Sequence, residues 1–182
     1  MKQALLLFAM VVALGVASQA SEQAAPKLRA GAAAVDITPK VFPLHMPGLF
    51  TARMADSAHD PLHARALVLD DGETVLALVV VDNIGVVQSV CDEAKAVASK
   101  QCGIAVEKML VASTHTHTGP NSSVKDGTVP DVEYRKLLVA GIAESIVRAH
   151  GALRPAGAGA AASPLPEEVS NRRWFLKPGK MP

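Results

Sequence analysis

Only six of the 182 residues are aromatic: four Phe, one Trp and one Tyr. Aromatic rings supply large buried areas, so a core built mostly of Ala, Val and Leu is thin. A shortage of this kind marks either an Ala-rich composition or part of a larger folding unit. Charge of one sign is also missing. Lys and Arg number 18 against 17 Asp and Glu, a formal net charge of +1, which gives no electrostatic case for a nucleic-acid partner. Cysteines number two, Cys91 and Cys102. Eleven helical residues between them span about 16 Å, and a disulfide needs Cα atoms within about 7 Å. Two small hydrophobes are therefore expected, not a bridge. No G-x-S-x-G, P-loop or C-x-x-C occurs, so the chemistries those motifs carry have no support.

What is present begins with an export signal. Lys2 supplies a positive start and Ala4 to Val16 an uncharged apolar run. Ser18 and Ala20 are small at the two positions that matter for cleavage after Ala20, which implies a secreted or periplasmic protein. The run is short for a bilayer span, and no later segment of the sequence is long and apolar enough to supply one. Residues 21–28 read as a flexible leader, and residues 29–182 as one unit.

The pattern along that unit alternates strand and helix. Arg29 to Ile37 reads as a strand ended by Thr38-Pro39. Pro39 to Pro61 reads as a long irregular loop, a length often tied to function. Leu62 to Leu69 and Thr74 to Val81 flank Asp70-Asp71-Gly72, a hairpin signal. Val75 to Val81 is apolar without alternation, as expected of a central strand buried on both faces. Val86 to Lys100 reads as a helix, Lys108 to Ala112 as a strand and Asp131 to His150 as a second helix. Tyr134, Leu138, Ile142, Ile146 and Ala149 share one face of that second helix. Pro155 to Ser163 reads as a small-residue strand or a linker. The fold class is α/β, a mixed β-sheet with flanking helices. Asn171 to Pro182 shows no turn back into a core and reads as a chain cut off in mid-loop, so the unit is expected to be the N-terminal part of a larger catalytic domain.

His115-x-His117, directly after an apolar strand, is the strongest local feature. Residues two apart on an extended backbone share a face, so both imidazoles can meet one cation, with Zn²⁺ the commonest choice. Two loop histidines bound to backbone are an equally good reading. A pair alone also does not complete a zinc site. His59 and His63 form a second pair, but Pro61 between them argues against a helix, and solvated residues are favoured. His45 and His150 read as surface residues. Asp36 and Asp82 lie at strand ends. Each either orients a ligand histidine from behind or caps the following segment. Arg172 by default is solvated.

These scattered residues join in one resemblance. Gly31-Ala32-Ala33-Ala34-Val35-Asp36-Ile37-Thr38-Pro39 resembles the opening G-x-G-x-A-D-I-T-G/P of the neutral/alkaline non-lysosomal ceramidases. His59 through Ala66 resembles their H-x-R-x-x-A-R-A segment, with Pro61 for the first Arg. Val80-Val81-Asp82-Asn83-Ile84-Gly85 is similar to their strand ending in Asp before Gly. Ser113-Thr114-His115-Thr116-His117-Thr118-Gly119-Pro120 is close to their T-H-T-H-S-G-P signature, and Asn171-Arg172 is similar to N-R-S. The match runs in order from Gly31 to about Arg173.

The resemblance implies a zinc-dependent amidase that cleaves ceramide into sphingosine and fatty acid. It implies His115 as a zinc ligand, and His117 beside the metal as the group that steadies the developing oxyanion or positions substrate. It implies Arg172 in the active site, and Gly31 and Ala33 close to the substrate, with Ala33 standing where the family has Gly. The family's remaining ligands, a His, a Glu and a Tyr, are expected beyond Pro182, so the 182 residues alone are expected to be inactive. Pro43-Leu44-His45-Met46-Pro47-Gly48 follows the family's Gly-rich loop only loosely, which leaves room for a related lipid-like amide or ester as substrate. The competing expectation is a non-catalytic exported α/β ligand-binding module in which His115 and His117 are structural. In either case the surface facing the missing region of the same protein is expected to be apolar.

Overall fold

A computed structural model describes residues 28–48, 51, 53–122, 129–168 and 178–179. The expected signal segment at 1–20, most of the expected leader, and Arg172 lie outside these residues.

Among the described residues, seven strands and two α-helices form in the order β1 (Arg29–Asp36), β2 (Leu44–Met46), β3 (Arg53–Ala55), β4 (His63–Asp70), β5 (Val75–Val81), α1 (Gln88–Cys102), β6 (Met109–Ser113), α2 (Val129–Gly151) and β7 (Arg154–Pro155). The main sheet has the order β6-β5-β4-β1-β7. It is mixed: β4 pairs antiparallel with both β1 and β5, and β5 pairs parallel with β6 through the α1 crossover. The hairpin and crossover thus sit where the sequence pattern puts them. The 39–61 loop does not stay irregular throughout. Its β2 and β3 pair as a separate two-stranded hairpin, whose three-residue arms are too short to show a period of two. Of the Pro155–Ser163 segment, Pro155 alone joins the sheet, against Arg29.

Alternation sends one face of each strand into the core. Val35, Ala64, Ala66, Val68, Ala77, Val79, Val81 and Met109 are buried. α2 lies over β1, β4 and part of β5, with α1 alongside it. Tyr134, Leu138, Ile142, Ile146 and Ala149, the expected inner face of α2, are all buried. The small residues of β4 and β5 let the helices close down on the sheet, so Ala takes the place of the missing rings.

The expectation that β5 is buried on both faces is corrected. Its burial alternates, and Leu76, Leu78 and Val80 are exposed. Register aligns Ala32, Leu67, Leu78 and Leu110 in one row across four strands of that outer face. Among the described residues no layer covers it. The strand is apolar throughout because both of its faces carry hydrophobic side chains, although only one is packed. Cys91 and Cys102 both fall within α1 as free thiols, as their separation requires.

Candidate active site

The parallel pair β5 and β6 ends at Val81 and Ser113, side by side. The Thr114 amide donates to the Val81 carbonyl at 2.9 Å, so the two strand ends leave the sheet together. β5 runs into the turn Asp82-Asn83-Ile84-Gly85, and β6 into His115-Thr116-His117-Thr118-Gly119-Pro120.

His115 is the one non-glycine residue with positive φ among the described residues, at 62°. This left-handed conformation is uncommon for a residue with a Cβ, and such backbone is held only where its surroundings fix it. Here the imidazole fixes it. Nδ1 lies 2.7 Å from the Ile84 carbonyl oxygen. A carbonyl only accepts, so Nδ1 donates, and in the neutral ring the lone pair falls on Nε2. This is the arrangement by which a metal-ligating histidine is oriented from behind.

The sequence reading has the two histidines sharing a face by strand alternation. The strand stops at Ser113, and the left-handed step at His115 brings the rings together instead. Their centroids are 5.1 Å apart, edge to face at 75°. His117 is held from the other side by Gly48. A Cβ at Gly48 would stand 2.4 Å from the His117 Cα and 2.5 Å from its Cβ and carbonyl oxygen, so only glycine permits this approach. The Asn121 amide donates to the His45 carbonyl at 3.0 Å, which ties β2 to the far end of the same loop.

Asp82 and Asp36 do not touch the histidine pair. Asp82 Oδ2 accepts from the His63 amide at 3.0 Å and from Arg65 Nη1 at 2.5 Å, bracing the start of β4. Asp36 accepts from the Thr38 amide at 2.8 Å and closes the turn after β1. Hydrogen bonds from Thr38 hold its carboxyl below the usual range, with a smaller contribution from His63. Asp36 thus caps the segment that follows it, whereas Asp82 reaches back to β4. The group behind His115 is a backbone carbonyl, which no side-chain motif announces. His59 is exposed and pairs with Asp60, while His63 Nδ1 lies 3.2 Å from Arg65 Nη2.

Gly31 and Ala33 lie away from this end of the sheet. Gly31 pairs with Val68 and Ala33 with Ala66, whereas the site end is marked by Asp36 opposite His63. A Cβ at Gly31 would fall 2.1 Å from the Ala149 carbonyl oxygen of α2, so that glycine admits the end of the helix.

Asn83 was missed by the sequence reading. It is fully buried, and its Nδ2 donates to the Pro120 carbonyl at 3.0 Å and lies 3.2 Å from the Tyr134 hydroxyl, while Oδ1 accepts from the Gly85 amide at 3.1 Å. Ser122 Oγ donates to the Gly85 carbonyl at 2.7 Å and accepts from the Val87 amide at 3.1 Å. Burial pushes the Tyr134 hydroxyl up to about 12, so it stays neutral as a partner for Asn83. A polar residue after an apolar strand was the available signal, but such residues are commonplace in turns.

As a nitrogen donor for zinc, His115 fits: its ring is held through Nδ1, and Nε2 makes no hydrogen bond among the described residues. Among the described residues no group of three His, Cys, Asp or Glu comes together as a metal cage.

A one-sided mixed sheet, two helices over it and a histidine pair at its strand ends define a portion of an α/β domain. The particular likeness is to the neutral ceramidases. The chain is similar to the solved neutral ceramidase from Pseudomonas aeruginosa at 26% identity and a TM-score of 0.61, over 72% of this chain and 22% of that one. A ceramidase complexed with C2 matches at 26% identity and 0.60, with the same coverage. The chain thus spans about a fifth of the length of the ceramidases it matches, and its fold is that of a portion of such an enzyme. No family model matches the chain, and no curated protein does.

Proposed function

We propose that the chain forms part of an exported zinc-dependent amidohydrolase acting on the N-acyl amide of ceramide or a related lipid-like amide. The observation that supports this reading is the likeness to the neutral ceramidases, and the 2.7 Å contact from His115 Nδ1 to the Ile84 carbonyl orients the ring for it. Zinc, when bound, lowers the pKa of its water to about 7 and polarises a carbonyl. His115 would hold the metal through Nε2. His117, fixed against Gly48, would orient the amide oxygen. Arg172 is assigned to the substrate on the resemblance alone. Water adds to the amide carbon, the C–N bond breaks, and a carboxylate and an amine leave. Further ligands come from outside the described residues.

The test is zinc content and fatty-acid release from a fluorescent ceramide, measured on the protein at its natural length. Stoichiometric zinc, lost together with turnover on His115→Ala, is expected. Ligand binding without metal or hydrolysis would instead establish the non-catalytic module. The 182 residues alone are expected to bind zinc weakly and to show no turnover, and substantial turnover by them would contradict the assignment of further ligands elsewhere.

A further inference from the structure

The turn behind His115 is held by hydrogen bonds more than by packing. Gly85 is exposed, and a Cβ placed on it would meet nothing within 4 Å. Instead, side chains take the turn's backbone groups one after another. The Gly85 amide donates to Asn83 Oδ1 at 3.1 Å, and the Gly85 carbonyl accepts from Ser122 Oγ at 2.7 Å. The Val86 amide donates to Ser113 Oγ at 3.1 Å, and the Val87 amide to Ser122 Oγ at 3.1 Å. The Ile84 carbonyl, just before these groups, is the one that takes His115 Nδ1.

Both serines lie on the stretch of chain that carries the histidine pair. Ser113 ends β6, and Ser122 follows the loop at Pro120. The stretch therefore grips, from before and after the pair, the turn on which its own histidine rests. Ser122 has the larger part. Its side chain is buried, at 2% exposure, and its one hydroxyl both donates and accepts, which fixes the Gly85 carbonyl and the Val87 amide relative to each other. Helix α1 also opens after Val87, which offers no side-chain cap, so Ser122 ties the start of that helix to the same point.

We propose that Ser122 is a positioning residue for His115. Acting through the Gly85–Val87 turn, it fixes the Ile84 carbonyl and thereby which imidazole nitrogen carries the proton. Its consequence for metal binding rests on the amidohydrolase reading; its consequence for the proton does not.

Long-range proton–nitrogen NMR reads the proton's position on each ring, on the metal-free protein at its natural length and at a pH where the imidazoles are neutral. His115 is expected to carry its proton on Nδ1. Ser122→Ala should lower the ratio of the Nδ1-protonated to the Nε2-protonated form several-fold at His115 and leave His150 unchanged. Ser113→Ala should shift the ratio the same way, and it decides the matter if Ser122→Ala does not fold. Ser145→Ala separates positioning from stability. That hydroxyl is also buried, but it donates to the Ile142 carbonyl within α2 at 2.8 Å, so its loss should lower the melting temperature and leave the His115 ratio where it was. A proton on Nε2 in the unaltered protein, a ratio unmoved in the deciding variant, or an equal shift on Ser145→Ala would each overturn the proposal. On the zinc reading, Ser122→Ala should also weaken zinc binding several-fold. A shifted ratio in a protein that binds no zinc and hydrolyses no ceramide would sink the amidohydrolase reading and leave this one standing. Zinc-dependent hydrolysis with an unmoved ratio would do the reverse.

Discussion

Asn83 and Tyr134 meet in the interior, Nδ2 to hydroxyl at 3.2 Å, and join the turn after β5 to helix α2. The same side chain holds Pro120 and Gly85, so the carbonyl behind His115 and the loop bearing His115 hang on one residue. Asn83→Ala leaves these groups without partners. At about 1–3 kcal/mol for a buried group so orphaned, with some relief from water entering the gap, the expected loss is about 2–4 kcal/mol. Urea denaturation measures it. On the proposed zinc reading, zinc affinity should fall as well, because the Ile84 carbonyl behind His115 sits in the turn that Asn83 holds. An unchanged urea midpoint would contradict the linking role.

Tyr134 also sets an alkaline limit. Its folded pKa, about 12, lies above the ordinary 10.0 because burial disfavours the phenolate. The stability this contributes is full below pH 10 and is lost as pH rises through the folded value. Tyr134→Phe should lower stability at neutral pH by about 1 kcal/mol and flatten its decline above pH 10. Denaturant titrations at a series of alkaline pH values would show both effects, and an equally steep decline in the variant would refute the assignment.

At the opposite end of the sheet, Asp70 accepts from the Gly72 amide at 2.8 Å and pairs with Arg29. Both hold its carboxyl below the usual 3.8. Its contribution is therefore full above that value and disappears as pH falls through the lower folded one. Asp70→Asn should lower stability at neutral pH and soften acid unfolding in that range. An acid limb of unchanged slope would assign the effect to other carboxylates.

Gly48→Ala tests the seat of His117 directly. The added methyl would overlap the His117 backbone, and overpacking of this kind costs about 1–3 kcal/mol. Thermal unfolding gives the stability loss, and the His117 ring resonances should shift more than those of distant His150. A variant with unmoved His117 signals would refute the contact.

Much of this was legible in the sequence because it rests on local pattern. The β4–β5 hairpin is written in Asp70-Asp71-Gly72, and the inner face of α2 in the spacing of Tyr134, Leu138, Ile142 and Ile146. The histidine pair was visible as a motif. Its geometry was not, since the left-handed step at His115 and the Ile84 carbonyl belong to tertiary contacts that carry no side-chain signature. Gly31 shows the converse: a glycine read through a motif as a substrate contact sits under the end of α2, a position that only packing reveals. The apolar run of β5 was read as doubly buried because hydrophobicity records what a face is made of and not what lies against it.

That outer face has a calorimetric consequence. Leu67, Leu76, Leu78, Val80 and Leu110 already meet water in the folded chain, so unfolding hydrates less fresh hydrocarbon than in a domain packed on both sides. The heat-capacity increment should fall below the usual value of about 12–15 cal/mol/K per residue, and the urea m-value should be small for the chain length. The 182 residues would then carry a shallow stability curve, with melting spread over a wide interval of temperature.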